Sequence, residues 1–174
     1  MPSKKIFLLL GAFWLLIIGG FIASKEFTLH TGQDVLLKTV PVDPRDLFRG
    51  DYVILRYEIG TLDLGTIPGG NQTLKPRDAV YVTLAVGGKY AAASSVSAVP
   101  PAGGLFLKGT VKDTHNSRMT VEYGIESYFV PEGKGRVIER QLGRTVDVKA
   151  VVDTSGTAVI RSLLVDGKEV SFRN

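Results

Sequence analysis

The densest set of side chains that could take part in chemistry lies in a short charged stretch in the first third of the chain. Asp43, Asp46 and Asp51 could supply oxygen ligands to a divalent cation, and Arg45 and Arg49 alternate with them. Because the arginines can neutralise these carboxylates directly, we interpret the stretch as local ion pairs at a strand entrance and predict no metal site. It belongs to a predicted interaction patch of eight residues: Arg45, Asp46, Arg49, Gly50, Asp51, Tyr52, Glu132 and Lys134.

The rest of the chain offers no convincing catalytic set. His30 and His115 have no second ligand at the spacing of a metal site, and no Gly-x-Ser-x-Gly elbow is present. We therefore predict no catalytic residue and no cofactor, and the sequence does not identify a small-molecule ligand.

An alternating strand must position the charged stretch. Between residues 52 and 59, Val53, Leu55, Tyr57 and Ile59 share one face, because successive side chains of a strand point to opposite sides. We expect this face in the core, with Leu55 and Tyr57 at its centre. A buried Tyr57 ring would need a hydrogen-bond partner for its hydroxyl.

Residues beyond the first 33 read as β-structure. Short runs rich in β-branched residues, separated by Gly, Pro and Asp-Gly turns, predict an all-β domain with a barrel-like or sandwich fold. Thr61–Leu74 reads as a loose loop, and Arg136–Leu142 is the one short helical pattern of the domain. The predicted strands cover residues 35–42, 52–59, 78–86, 105–111, 119–123, 126–130, 146–152, 158–165 and 169–172.

An uncharged apolar run, Ile6–Ala23, precedes this domain. Its length is just sufficient for a helix that crosses a bilayer core of about 30 Å. A cleaved secretory signal is the alternative, but such signals have a shorter apolar region of roughly 7–15 residues and a small-x-small cleavage site. The best candidate site, Phe21-Ile22-Ala23, has Phe where a small residue is needed, so we favour an uncleaved anchor. The chain contains no Cys, which excludes a lipidated cysteine.

These observations divide the chain into four parts. We predict a cytoplasmic tail (1–5), a transmembrane helix (6–23), a juxtamembrane linker (24–33) and an extracytoplasmic β-domain (34–174). Lys4 and Lys5 precede the span, and basic residues stay on the cytoplasmic side. Small residues at Gly19, Gly20 and Ala23 could let a second membrane helix approach closely.

The charge balance argues against nucleic-acid binding. Three of the 21 basic residues lie in the first 25 residues, which leaves 18 basic residues against 17 acidic ones in the remainder. A nucleic-acid-binding domain needs a strongly basic face.

Two blocks of sequence carry a family resemblance. Gly50-Asp51-Tyr52-Val53-Ile54-Leu55-Arg56-Tyr57 matches the pattern G-D-Y-x-x-L-x-Y at every fixed position, and Glu122-Tyr-Gly-Ile-Glu-Ser-Tyr-Phe-Val-Pro-Glu-Gly-Lys-Gly135 resembles a later segment of the same family. The chain thus resembles the bacterial GDYXXLXY family. The resemblance implies a single-span protein of the cytoplasmic membrane with an exported β-domain, sometimes accompanied by a multi-span membrane partner, and implies no established activity.

These features favour a non-catalytic accessory protein for a membrane or envelope partner. One alternative is an unusual hydrolase, because Leu47-Phe-Arg-Gly-Asp-Tyr-Val53 faintly resembles a segment of type I signal peptidases. Val42 occupies the position of their nucleophilic serine, and this alternative would require a desolvated lysine. The other alternative is an envelope-ligand-binding domain, which would expose Tyr52, Tyr123 and Tyr128 in one groove.

Overall fold

A computed structural model describes residues 2–40, 48–49, 52–129 and 146–170. Within these residues one helix, α1 (Pro2–Thr31), precedes twelve strands, and a 3-10 turn (Glu58–Gly60) separates the third strand from the fourth. The strands are β1 (Gln33–Lys38), β2 (Phe48–Arg49), β3 (Tyr52–Ile54), β4 (Thr61–Asp63), β5 (Ala79–Ala85), β6 (Ala92–Ser97), β7 (Phe106–His115), β8 (Arg118–Glu122), β9 (Ser127–Phe129), β10 (Val146–Val152), β11 (Ala158–Val165) and β12 (Lys168–Glu169).

The strands form three antiparallel sheets, which confirms the predicted all-β class. The first sheet has the order β1-β10-β11-β12, the second β2-β3-β9, and the third β4-β8-β7-β5-β6. Consecutive strands form hairpins at β5-β6, at β7-β8 and at β11-β12. The last of these turns at Asp166-Gly167, where both residues have positive φ (50° and 77°), as the Asp-Gly signal predicts.

Alternation along the strands builds the hydrophobic core. In β1, Val35 and Leu37 are buried while their neighbours are exposed or half-buried, and β5 alternates in the same way. β10 differs, because Val151 and Val152 are both buried. The helix end contacts β10, which explains why this strand is apolar on both faces near the helix.

One extended run between residues 52 and 63 connects the three sheets. Its first part, β3, pairs with β9 in the second sheet. Arg56 then accepts a hydrogen bond from the N–H of Val40, and Tyr57 bridges Thr39, just beyond β1 of the first sheet. After the 3-10 turn, β4 pairs with β8 in the third sheet.

This change of partner corrects two predictions. The predicted strand 52–59 ends at Ile54, because the chain leaves β9 to reach the first sheet and then tightens into the 3-10 turn. The predicted loop Thr61–Leu74 begins with β4, and its later part is held by the hydrogen bond from the N–H of Val96 to the carbonyl of Pro68. The predicted helix Arg136–Leu142 lies outside the described residues.

The helix is long and apolar enough to cross a membrane over Lys4–Thr31. It also extends beyond the apolar run: the segment 24–33, predicted to be a linker, is helical through Thr31 and joins β1 at Gln33. The β-domain therefore follows the helix with Gly32 alone between them.

Candidate functional site

The motif positions Leu55 and Tyr57 lie in the core, as the alternation predicts. The N–H of Leu55 donates to the carbonyl of Glu126, and the hydroxyl of Tyr57 donates to the carbonyl of Ile125 at 2.5 Å. The first motif block is thus bonded directly to the second one.

The second block returns a matching bond. Tyr123 donates its hydroxyl to the carbonyl of Ile59 at 2.6 Å, so each block supplies one buried tyrosine to a backbone carbonyl of the other run. Glu126 folds back and accepts the N–H groups of Tyr123 and Gly124, where φ is +79°. The two blocks form a single cross-braced unit, which we name the tyrosine brace: Tyr57, Ile59, Tyr123, Ile125 and Glu126.

Burial determines the chemistry of the two phenols. It raises the pKa of Tyr57 and of Tyr123 well above the usual value, and the negative charge of Glu126 raises both further. Both side chains are therefore neutral structural donors at physiological pH. The expectation that Tyr123 lies exposed in a ligand groove is wrong, because only 7% of the residue is accessible.

The predicted interaction patch falls largely outside the described residues. Arg45, Asp46, Gly50, Asp51, Glu132 and Lys134 belong to the undescribed stretches. Arg49 and Tyr52 are described in their backbone only, as a pair between β2 and β3. The patch stays a prediction.

A groove of about 550 Å³ lies between the 3-10 turn, β4 and β6. Lys38 and Glu58 form an ion pair at 2.9 Å along it, and both side chains are about half exposed. Asp63 adds a second carboxylate, and Ala93 and Ser94 provide a wall of small side chains. Sequence reasoning missed this groove, because its walls come together only when the sheets assemble.

A buried acid adjoins the groove. Tyr90, which lines it, donates its hydroxyl to Asp147 Oδ2 at 2.8 Å. Asp147 is 1% accessible, and its Oδ1 has no hydrogen-bond partner among the residues that the structure describes. This carboxylate packs beneath Tyr90 and is not itself a wall of the groove.

The hydrolase alternative requires a desolvated lysine, and three lysines of the β-domain that could fill this role do not meet the requirement. Lys38, Lys89 and Lys108 are all exposed. A hydrogen bond from Lys38 to Glu58, together with the charge of that carboxylate, raises the pKa of Lys38, and Tyr90 likewise raises the pKa of Lys89. Neither of those two lysines is a base at neutral pH.

The histidines and the small residues of the helix lie on the surface. His30 contacts Glu26 one turn earlier in α1, and His115 is exposed at the end of β7. No group of three or more His, Asp or Glu side chains that could hold a metal occurs within the described ranges. A Cβ added at Gly19 or Gly20 would meet nothing within 4 Å, so this side of the apolar run is open.

The junction of the helix and the β-domain is the most tightly built feature outside the core. Thr28 is 3% accessible and donates its hydroxyl to Asp153 Oδ2 at 2.8 Å. Arg161 Nη2 donates to the carbonyl of Leu29 at 2.7 Å, and its Nε pairs with Asp34 Oδ1 at 3.1 Å. The guanidinium thus satisfies one of the last helix carbonyls, which lack a partner within the helix.

Asp153 and Gly32 complete this junction. Partial burial opposes the charge of Asp153, but hydrogen bonds from Ser155, Thr28 and the Thr157 backbone outweigh it and lower the pKa. A Cβ at Gly32 would lie 2.5 Å from Val151 Cγ1, so only glycine fits there. Sequence reasoning missed these residues, because Thr28 and Asp153 are separated by 125 positions.

Comparison with known proteins identifies a family. A family model described as GDYXXLXY protein matches residues 14–163 of the chain. No curated protein and no solved structure matches the chain.

Proposed function

The chain belongs to the GDYXXLXY family, and from this premise we propose that it is a membrane-anchored accessory protein without catalytic activity. In this proposal α1 stays in the bacterial cytoplasmic membrane with its N-terminus in the cytoplasm. The β-domain lies on the extracytoplasmic side and binds an integral-membrane partner. The junction of helix and domain is the observation that supports the proposal most directly.

The junction favours retention of the helix over its removal. The helix that contains the apolar run continues without a break into the turn that carries Thr28. Cleavage after Ala23 would cut inside this helix, at a site with Phe21 where a small residue is needed. Because the end of the helix is hydrogen-bonded to Asp153 and Arg161 of the β-domain, the junction favours a permanent anchor.

The orientation rests on charge. Lys4 and Lys5 precede the apolar run, and basic residues next to a span stay in the cytoplasm. The β-domain follows the span and would then be exported. The absence of Cys is compatible with this, because disulfides are optional for a domain of this size.

The tyrosine brace supports a binding role over a catalytic one. Leu55 and Tyr57, fixed positions of the family pattern, are buried and bonded to backbone. These signature residues stabilise the domain and present no reactive group to a substrate. Within the described residues, two open surfaces could bind a partner: the groove that contains Lys38 and Glu58, and the helix side at Gly19 and Gly20. The predicted interaction patch around Arg49 stays a third candidate.

A purification experiment tests the proposal. We expect tagged full-length protein, extracted in a mild detergent, to retain an integral-membrane protein. Gly20→Leu should weaken this retention if the small-residue side of the helix is used. Gly11→Leu is the matched control, because nine residues at 100° each place Gly11 on the opposite side of the helix.

Two outcomes would contradict the proposal. One is a chain that emerges alone and monodisperse from several detergents. The other is a mature protein that begins after residue 23, or a β-domain that external protease does not reach in intact spheroplasts.

A further inference from the structure

The end of α1 is fastened to one turn of the first sheet. The turn between β10 and β11 contains Asp153, which accepts the Thr28 hydroxyl, and Arg161 holds the Leu29 carbonyl from the neighbouring strand. Gly32 then packs against Val151 without space for a side chain. Helix and sheet therefore meet at a fixed point with no flexible segment between them.

The height of this point above the bilayer follows from helix geometry. The apolar run ends at Ala23, and Thr28 lies five residues later. At a rise of 1.5 Å per residue, Thr28 is about 7.5 Å beyond the end of the apolar run. The polar layer of a bilayer is roughly 5–8 Å thick on each side of the hydrocarbon core. Thr28 and the turn bonded to it therefore lie at headgroup depth when α1 spans.

The side chains around this point suit a headgroup layer. Lys25 is on the helix just beyond the apolar run, with its ammonium 5.8 Å from the Phe21 ring centre, and Phe27 is 66% accessible. Aromatic residues and long basic side chains favour the membrane interface. Thr154 and Ser155 form the tip of the turn and are exposed.

The carboxylate of Asp153, the acidic group of the turn, accepts its hydrogen bonds from the protein itself. Asp153 Oδ1 accepts the N–H groups of Ser155 and Thr157, and Oδ2 accepts the Thr28 hydroxyl. The carboxylate thus has protein partners on both oxygens. It therefore needs no hydrogen-bond partner from outside the protein.

We propose that the turn 153–157, with Lys25 and Phe27, is a contact surface for phospholipid headgroups, and that the junction holds the β-domain against the bilayer at a fixed height. This inference rests on the proposed function in one respect, namely that α1 spans the membrane. It goes further in naming the surface and in stating that the domain is not a freely tethered module.

The natural sequence makes a site-specific test simple, because it contains no Cys and a single Trp, Trp14. The full chain carrying Thr154→Cys is labelled with a fluorophore and reconstituted into phosphatidylethanolamine–phosphatidylglycerol nanodiscs. Headgroup-linked nitroxide lipids then quench the label. The matched variant has a six-residue Gly-Ser insertion between Lys25 and Glu26, which leaves Thr28 and the turn 153–157 intact but frees them from the span.

We expect strong quenching of the label at residue 154 in the uninterrupted chain and a severalfold loss of quenching in the insertion variant. Weak quenching in the uninterrupted chain would overturn the inference. Equal quenching in both chains would also overturn it, because the junction would then not set the height of the domain.

Trp14 separates this inference from the proposed anchor. Bromine atoms on the lipid acyl chains should quench Trp14 fluorescence in both chains if α1 spans. Unquenched Trp14 would refute the anchor itself. Quenched Trp14 with an unquenched label at residue 154 would refute the headgroup contact alone.

Discussion

The two buried phenols show how individual residues of the family pattern stabilise the fold. Tyr57 follows β3 and Tyr123 follows β8, and each donates to a carbonyl in the run of the other. Removing either hydroxyl leaves a buried carbonyl without its donor, which costs about 1–3 kcal/mol. The brace is therefore reciprocal, and its two bonds should be energetically coupled.

We expect Tyr57→Phe and Tyr123→Phe each to lower the free energy of unfolding by about 1–3 kcal/mol. The measurement is urea unfolding of the full chain in detergent. Tyr81→Phe is the control, because Tyr81 packs its ring against Phe106 and its hydroxyl makes no comparable buried bond with any described residue. An effect of Tyr81→Phe as large as that of Tyr57→Phe would refute the assignment.

The same phenols predict a loss of stability in alkali. Burial raises the pKa of Tyr57 and Tyr123 in the folded state, whereas the unfolded chain ionises its tyrosines near pH 10. Above that pH the unfolded state has released more protons, so the free energy of unfolding falls as pH rises. Unfolding titrations between pH 8 and 12 should show a steeper decline for the natural chain than for a Tyr57→Phe, Tyr123→Phe double variant. Parallel curves would contradict this.

The sequence predicts burial well along the run 52–59. Val53, Leu55, Tyr57 and Ile59 are all buried, as a period of two requires, although β3 ends at Ile54 and Ile59 lies in the 3-10 turn. Pairing partners could not be predicted from the same pattern. The run 52–63 changes partner twice, and the segments that it pairs with lie far away in the sequence.

The helix end shows the same limit. Apolar length predicts a helix over residues 6–23, but the polar residues after Ala23 do not indicate that this helix continues and packs on a sheet, so the sequence predicts a linker at 24–33. The bond of Thr28 depends on Asp153, and no local pattern connects them.

At the level of the element, we expect Thr28→Val to weaken the junction. It removes a partly buried hydrogen bond to a carboxylate, worth about 1.5–3 kcal/mol. Thr31→Val is a close control, because its hydroxyl donates only to Phe27 one turn earlier on the exposed side. The readout is amide hydrogen exchange over residues 26–32, which should become faster in Thr28→Val alone. Unchanged exchange in Thr28→Val would show that the bond does not hold the helix end.

Gly32 offers a steric test of the same junction. An added methyl group would overlap Val151 and two backbone carbonyls at 2.5–2.8 Å, so Gly32→Ala should cost about 1–3 kcal/mol. Gly11→Ala has open space around it and should be neutral or slightly stabilising. Thermal unfolding of the full chain in nanodiscs compares the two. Similar melting temperatures would mean that the helix end is not packed as described.

For the whole molecule, these contacts move the boundary of the β-domain. The prediction placed it at residue 34, where strand patterning begins. The structure adds the last turns of α1, because Thr28 and Leu29 are bonded to β-domain residues and Gly32 fills a space next to β10. The helix thus has an apolar part that suits lipid and a final part that belongs to the sheet.

This division predicts where the chain can be shortened. A soluble form that begins at Ser24 keeps the bonds of Thr28 and Leu29, whereas one that begins at Gln33 loses both and exposes Val151. The Thr28 bond is worth about 1.5–3 kcal/mol and the exposed Leu29 bond about 0.5–1.5 kcal/mol. For a chain of this size 1 kcal/mol shifts the melting temperature by about 2–4 °C, so we expect the Ser24 form to melt roughly 4–18 °C higher by calorimetry. Adding Thr28→Val to the Ser24 form should lower its melting temperature and so remove part of the difference, while Thr31→Val should not. Equal melting temperatures for the two truncations would return the boundary to residue 34 and leave the β-domain free to move on its anchor.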